Sequence, residues 1–339
     1  MYITENQSLK PYNTFGVDVK ARYFAIVKNE EDINEALDFA KKNQVRIFIL
    51  NGGSNSLFVN DFEGLIIKVE TKGIFCEDKN DFTFVTAQAG ENWHDFVMFC
   101  IEHDLGGLEN LSLIPGNAGT SPIQNIGAYG VEIKDTFHSL RALNTETREI
   151  ESFGKTDCRF GYRESFFKNE GKNRYIILEV TYKLTSKNHV LNTSYGAIEE
   201  ELRRKNIENP TIRDVSNAVI HIRQTKLPDP KIVGNAGSFF KNPYISIAHY
   251  QELKEKFPTL PHYPADKETV KIPAGWLIEQ CGWKGRREGN AGIHERQALV
   301  LVNYGGATGA EIFNLSEKII SSVKEKFDIH LSREVNIIK

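Results

Sequence analysis

At 339 residues the chain has room for two or three domains and an ample core. Its 42 basic and 45 acidic residues leave a formal net charge of −3, which gives no electrostatic reason to expect nucleic acid or an anionic membrane as partner. No apolar run approaches the roughly 20 residues that span a bilayer, and Met1 to Ser8 lack the basic and apolar regions of a signal peptide, so a cytoplasmic protein is expected.

Residues 1–20 are polar and turn-rich, and an α/β pattern follows. A strand is predicted over 21–27, then a helix over 30–43 with Ile33, Ala36, Leu37 and Ala40 on one face. The compact apolar strand at 45–50 runs directly into Asn51-Gly52-Gly53-Ser54-Asn55-Ser56. A strand entering a Gly/Ser turn suits a phosphate-binding backbone, because free N–H groups converge there; a plain loop between strands reads equally well. Neither G-x-G-x-x-G nor G-x-x-x-x-G-K-[ST] is present, so the dinucleotide Rossmann fingerprint and the P-loop are excluded.

Strands are predicted at 65–70 and 82–89. Trp93, Phe96, Val97, Cys100 and Ile101 then mark an amphipathic helix over 91–103, where they read as core. The next stretch, Pro115 to Gly130, holds four glycines, three side-chain amides and no charged residue. Many hydrogen-bonding groups without charge suggest a backbone closing around a buried polar ligand, with a purely structural loop as the other reading. Strands of an antiparallel sheet are predicted at 139–151 and 175–184. Between them, Cys158-Arg159-Phe160-Gly161-Tyr162-Arg163 alternates arginine with aromatics. That pattern fits a solvated turn, or a guanidinium fixed by rings and aimed at an anion.

Asn209-Pro210 reads as the start of a helix with Ile212, Val215, Val219 and Ile222 on its buried face, ending near Arg223 and Lys226. Leu227-Pro228-Asp229-Pro230 reads as a stiff linker and a domain boundary. The segment 234–243, G-N-A-G-S-F-F-K-N-P, taken alone is a glycine-rich turn entering a short hydrophobic element; its other reading holds the hydroxyl of Ser238 in an apolar pocket. It is not a nucleophile elbow. Short helices are predicted at 245–257 and 274–281, a rigid loop at 258–264, a buried strand at 297–303 and a closing strand at 329–338. Thr308-x-x-Glu311 is a capping box opening a helix. The four cysteines form no C-x-x-C pair and are expected to be reduced, mostly buried thiols; the nine histidines show no ligand-like pairing, so no metal is expected.

Taken in order, several segments resemble one family, the flavin-dependent UDP-N-acetylenolpyruvoylglucosamine reductases of peptidoglycan synthesis. They are Leu9-Lys10-Pro11-Tyr12-Asn13-Thr14-Phe15-Gly16, Gly53-Ser54-Asn55-Ser56-Leu57-Phe58, 114–130, 158–163, Ser194-Tyr195-Gly196, 225–231 and 234–243. The resemblance runs from about residue 8 to the C-terminus. The Ser194-Tyr195-Gly196 segment is similar to the longer subclass, in which a tyrosine loop folds over the substrate. Two departures stand out: Asn51-Gly52-Gly53, where an acidic residue between glycines is expected, and Leu331-Ser332-Arg333 before Glu334, where proline is common.

The resemblance implies an α+β fold: an FAD-binding module of the vanillyl-alcohol oxidase-like (PCMH) type with an additional C-terminal α+β substrate-binding domain. It divides the chain into 1–67 plus 328–339, 68–226 and 227–327. It implies non-covalent FAD, NADPH as reductant, and reduction of the enolpyruvyl ether of a UDP-sugar to UDP-N-acetylmuramate by a cytoplasmic monomer serving cell-wall biogenesis. Arg159 and Glu334 match the residues that stabilise the developing charge, and Ser238 matches the proton donor, acting as a general acid with no covalent intermediate. The cofactor is expected at Gly52, Gly53, Ser54, Asn55 and Ser56, and at Pro115, Gly116, Gly119, Ser121, Pro122, Gln124, Asn125, Gly127, Ala128 and Tyr129. The UDP-sugar is expected at Tyr195, Arg223, Lys226, Asn242, Tyr263 and Gln297. Another flavin oxidase is disfavoured because the Arg159, Ser238 and Glu334 set lacks a base for alcohol or amine oxidation. A non-enzymatic sugar-nucleotide binder is disfavoured because the set is intact.

Overall fold

A computed structural model describes residues 1–339, which form two compact units. The first comprises residues 1–7, 21–52 and 63–225, and the second residues 8–20, 53–62 and 226–339.

In the first unit, a four-stranded sheet has the order Ile3–Ser8, Lys20–Val27, Phe62–Val69, Arg46–Leu50, the last two pairing in parallel with Ile47 opposite Leu65. The helix Glu30–Lys42 precedes Arg46–Leu50. The side chain of Asn29 caps it by accepting the Asp32 N–H, and Ile33, Ala36, Leu37 and Ala40 are buried as their spacing requires. A five-stranded antiparallel sheet has the order Ile150–Gly154, Phe137–Asn144, Tyr175–Thr185, Phe82–Gln88, Ile74–Lys79. The helix Trp93–Glu102 adds Trp93 and Phe96 to the core, where both rings pack against the fully buried Tyr182. Each such ring contributes about 1.5–3 kcal/mol by leaving water. Helices Gly196–Arg204 and Ile212–Lys226 share a smaller core of Ile198, Leu202, Val215, Ala218, Val219 and Ile222.

Three expectations change in this unit. The polar, turn-rich start contains the strand Ile3–Ser8, which pairs beside Lys20–Val27 and so shows itself only through its partner. The strand expected over 139–151 is a hairpin, because Asn144 folds an Asx turn: its Oδ1 accepts the N–H groups of Glu146 and Thr147, and Arg148 takes φ +67°. The 212–226 helix is capped by Thr211, not by Asn209-Pro210. Thr211 Oγ1 accepts the Asp214 N–H while the Asp214 carboxylate accepts from Thr211 N–H and hydroxyl, a reciprocal cap that a proline cannot provide.

In the second unit, a four-stranded antiparallel sheet has the order Gly234–Ser238, Val300–Asn303, Ala291–Ile293, Arg287–Glu288. A three-stranded sheet joins Tyr244–Ser246, Thr269–Lys271 and Tyr263–Pro264. The helix Gly309–Phe327 opens on the expected Thr308/Glu311 capping box and buries Ile312, Leu315, Ile319, Val323 and Phe327. The closing strand is shorter than expected: only Asn336–Ile338 pairs, in parallel, with Ser56–Phe58. Residues 329–335 make single backbone bonds to the 239–241 segment instead. The 234–243 segment, which by itself reads as a turn, begins as a strand. Its pairing with Val300–Asn303 is interrupted between Asn235 and Ser238, where Gly237 takes φ +69° and donates its N–H to Asn235 Oδ1.

Candidate active site

The bulge at Gly237 sets the position of Ser238, which is half-buried at the strand's end, opposite Val300. The next residue ties this strand to the C-terminal segment: Glu334 N–H donates to the Phe239 carbonyl at 2.8 Å, and Lys241 N–H donates to the Ser332 carbonyl at 2.9 Å. Ser238 and Glu334, 96 positions apart in sequence, thereby lie on adjoining backbones. Asn55 joins the same group, its Nδ2 donating to the Glu334 carbonyl at 3.3 Å while its own carbonyl accepts from the N–H and side chain of Asn336. Gly53 anchors the turn before it. Its carbonyl accepts the Thr14 N–H, its φ is +62°, and a Cβ there would lie 2.0 Å from the Tyr12 carbonyl oxygen.

In the first unit the two glycine-rich segments meet at Gly52 and Gly116. A Cβ on Gly52 would stand 2.7 Å from Gly116 Cα, so only glycine permits the approach. Beside it, the buried Asn51 Oδ1 has no hydrogen-bond partner, an orphan acceptor suited to a ligand donor. The cradle is uncharged and rich in backbone amides, which suits a large polar cofactor, and these features fit FAD.

Two residues expected to bind cofactor have their side chains bonded within the protein. Ser121 is fully buried; its hydroxyl bonds the Ala118 carbonyl and the Tyr182 hydroxyl. Asn125, also fully buried, donates to the Gly161 carbonyl and the Glu132 carboxylate and accepts the Lys134 N–H, three of the four bonds its side chain can make. Their side chains hold the loop in shape. Arg163 does the same from the 158–165 segment, donating to the Asn125 and Gly127 carbonyls.

At the far end of this loop, three of the expected residues come together. The ring of Tyr195, the N-cap residue of Gly196–Arg204, stands against that of Tyr129, and the Arg223 charge acts on the Tyr129 hydroxyl. Arg223 also donates from Nε to the Leu113 carbonyl at 3.2 Å. Burial raises the pKa of Tyr129 and lowers that of Arg223, each opposed by the attraction between them. Sequence reasoning missed the residue that ties this corner together. The side-chain amide of Asn110, 1% exposed, donates to the Tyr129 carbonyl at 3.0 Å and to the Asn192 carbonyl at 2.8 Å. No local pattern marks it, since both acceptors are distant in the chain.

Arg159 stands in the first unit with φ +45°, its guanidinium exposed, 2.9 Å from Glu170 and 5.1 Å above the Phe166 ring. Cys158 beside it is fully buried, and burial pushes its thiol up to about 12. In the second unit, Asn242 Oδ1 accepts the Ala274 N–H at 2.9 Å, and Gln297 Oε1 lies beside the neighbouring Gly275, so both flank the start of Ala274–Gln280. Tyr263 is exposed, with the Lys271 ammonium 5.8 Å from its ring. Lys226 is exposed at the last residue of its helix. The cysteines are free, two of them buried, while Cys76 is exposed and Cys281 partly so.

Comparison with known proteins gives a consistent result. The family model for the C-terminal domain of UDP-N-acetylenolpyruvoylglucosamine reductase matches residues 229–338, and that for an FAD binding domain matches residues 21–152. A UDP-N-acetylenolpyruvoylglucosamine reductase of Flavobacterium johnsoniae is 55% identical over 340 residues, covering 100% of both chains. One from Pseudomonas savastanoi pv. phaseolicola is 49% identical, covering 97% of each. The crystal structure of the UDP-N-acetylenolpyruvylglucosamine reductase from Thermus caldophilus, 22% identical, superimposes with a TM-score of 0.68 over 100% of this chain and 98% of that one, which supports the α+β fold. No helix of the protein is long and apolar enough to cross a membrane.

Proposed function

Because this chain belongs to the UDP-N-acetylenolpyruvoylglucosamine reductase family, we infer that it reduces the enolpyruvyl ether of UDP-N-acetylglucosamine enolpyruvate to UDP-N-acetylmuramate with FAD and NADPH. It does so as a cytoplasmic monomer. FAD, held by the 51–56 and 115–129 segments, would supply the hydride-transfer chemistry that links NADPH to the enolpyruvyl group. The protein's residues do the rest.

Ser238 gives its hydroxyl proton to the carbon adjacent to the one that receives hydride, acting as a general acid. Glu334, on the adjoining backbone, assists from the same unit. Arg159 exchanges the exposed carboxylate of Glu170 for that of the substrate, where its guanidinium stabilises the developing negative charge. The 51–56 and 115–129 segments hold the cofactor through backbone N–H groups, with the orphan Asn51 Oδ1 as an acceptor. Arg223 and Lys226 meet the diphosphate, while Tyr195, Asn242, Tyr263 and Gln297 hold the rest of the UDP-sugar.

The observation that most supports this reading is the 2.8 Å bond from Glu334 N–H to the Phe239 carbonyl, which fixes the acid-bearing strand to the glutamate segment. Anaerobic stopped-flow tests it in two stages. NADPH should bleach the flavin of the purified holoenzyme, and the UDP-sugar should then restore its colour. A protein that takes up no FAD, or a reduced flavin that this substrate does not reoxidise, would reject the reading.

A further inference from the structure

We propose that His94 is a positioning residue for Arg223, acting through the backbone of Leu113. His94 lies in the first turn of Trp93–Glu102 and Arg223 near the end of Ile212–Lys226, and neither bonds the other directly. Leu113 lies between them. Its N–H donates to His94 Nδ1 at 3.0 Å, and its carbonyl accepts from Arg223 Nε at 3.2 Å. Leu113 has φ +59°, a left-handed conformation that a residue with a Cβ adopts only when its surroundings impose it. The His94 acceptor on one side and the Arg223 donor on the other are the two groups that hold this peptide in place.

The consequence falls on the guanidinium. With Nε engaged by Leu113, Arg223 is held where its charge acts on the Tyr129 hydroxyl, and the Tyr129 ring in turn meets that of Tyr195. Without the His94 acceptor, Leu113 has no reason to remain left-handed, and its carbonyl no longer aims the fork. An N–H can donate to Nδ1 only while that nitrogen is unprotonated, so the arrangement requires a neutral imidazole with its proton on Nε2. The surroundings favour that state. Burial, together with the Arg223 charge from the facing helix, holds the His94 pKa below its ordinary value, opposed only by Asp95 on its own helix. Protonating Nδ1 would set one donor against another.

This inference rests on the reading that Arg223 holds the UDP-sugar, so the test carries an arm for each. Holoenzyme affinity for UDP-N-acetylglucosamine enolpyruvate is read from the perturbation of flavin absorption on titration. Arg223→Ala tests the parent reading: unchanged affinity rejects it. His94→Phe should retain FAD but bind the UDP-sugar about ten-fold more weakly, as expected for a buried N–H left unpaired. His94→Asn should restore wild-type affinity, since its Oδ1 occupies the place of Nδ1. The pH profile adds a readout that a packing role would not move. Wild-type affinity should fall below the ordinary histidine range as His94 gains a proton, and His94→Asn should lack that limb. Wild-type affinity in His94→Phe, an Asn variant as weak as the Phe variant, or coincident wild-type and His94→Asn profiles would each overturn the proposal while leaving Arg223 in place.

Discussion

The ring of Tyr195 stands edge-on to that of Tyr129, with centroids 5.3 Å apart and planes at 85°. One tyrosine begins a helix and the other ends the glycine-rich loop, so the pair joins the expected substrate segment to the expected cofactor segment. A T-shaped pair contributes about 0.5–1.5 kcal/mol beyond its buried area. Tyr195→Phe keeps this ring contact and removes only the hydroxyl. It should raise KM for the UDP-sugar several-fold with kcat little changed; an unchanged KM would reject a substrate contact through the hydroxyl.

Asn110 sits beneath that pair and is expected to matter more than its position in the sequence suggests. Asn110→Leu keeps the volume but leaves the Tyr129 and Asn192 carbonyls without their donor. Both carbonyls are partly buried, so leaving each without a donor costs about 1 kcal/mol, the low end for an unpaired acceptor. The variant should lose stability in urea unfolding and bind the UDP-sugar about ten-fold more weakly while its flavin spectrum is retained. Wild-type stability would show that the two tethers are dispensable.

Ser238→Ala separates acid catalysis from cofactor chemistry. Reduction of the flavin by NADPH should proceed at nearly the wild-type rate, and reoxidation by the UDP-sugar should slow by roughly 10²–10⁴. Equal losses in both half-reactions would assign Ser238 a structural role.

Gly53 is the turn position least tolerant of change. Gly53→Ala would place a Cβ 2.0 Å from the Tyr12 carbonyl oxygen in a backbone with φ +62°, where the conformation alone costs an alanine about 1–2 kcal/mol. The turn must shift, so the variant should purify with less FAD and melt at a lower temperature. Full flavin occupancy would mean that the turn does not contribute to the cofactor site.

Acid should loosen the helix that begins at Tyr195. Hydrogen bonds from Arg204 hold the Glu201 carboxyl at a pKa of about 2 against an ordinary 4.5, assisted by Lys205 and by His221 on the neighbouring helix. Because the folded pKa is depressed, this stabilisation is present in full above 4.5 and lost as pH falls toward 2. Glu201→Gln should therefore be less stable than wild type at neutral pH, and the two acid-unfolding curves should converge near pH 2. Parallel curves over the whole range would show that Glu201 makes no net contribution.

Several helices, though not Gly196–Arg204, were legible before the structure because their determinants lie within a few residues of one another. The faces of Glu30–Lys42 and Trp93–Glu102 follow from apolar spacing, and the Thr308/Glu311 cap follows from a four-residue pattern. The order of the glycine-rich and aromatic motifs also sufficed to indicate the family, because a ligand-binding backbone leaves local marks in residue type. Elements failed where a polar side chain redirected the chain, as Asn144 and Thr211 do, or where a strand depended on a distant partner, as the C-terminal segment does.

The linear chain thus indicated most of its longer helices and its flavoprotein class. Tertiary structure decided how its polar side chains are used: that Ser121 and Asn125 spend their polar atoms inside the loop, that Asn110 spans to Asn192 82 positions away, and that Leu113 lies between His94 and Arg223. The physical reason is range. Apolar periodicity and helix caps act over a few residues, whereas a buried polar atom must find its partner wherever folding brings one within about 3 Å.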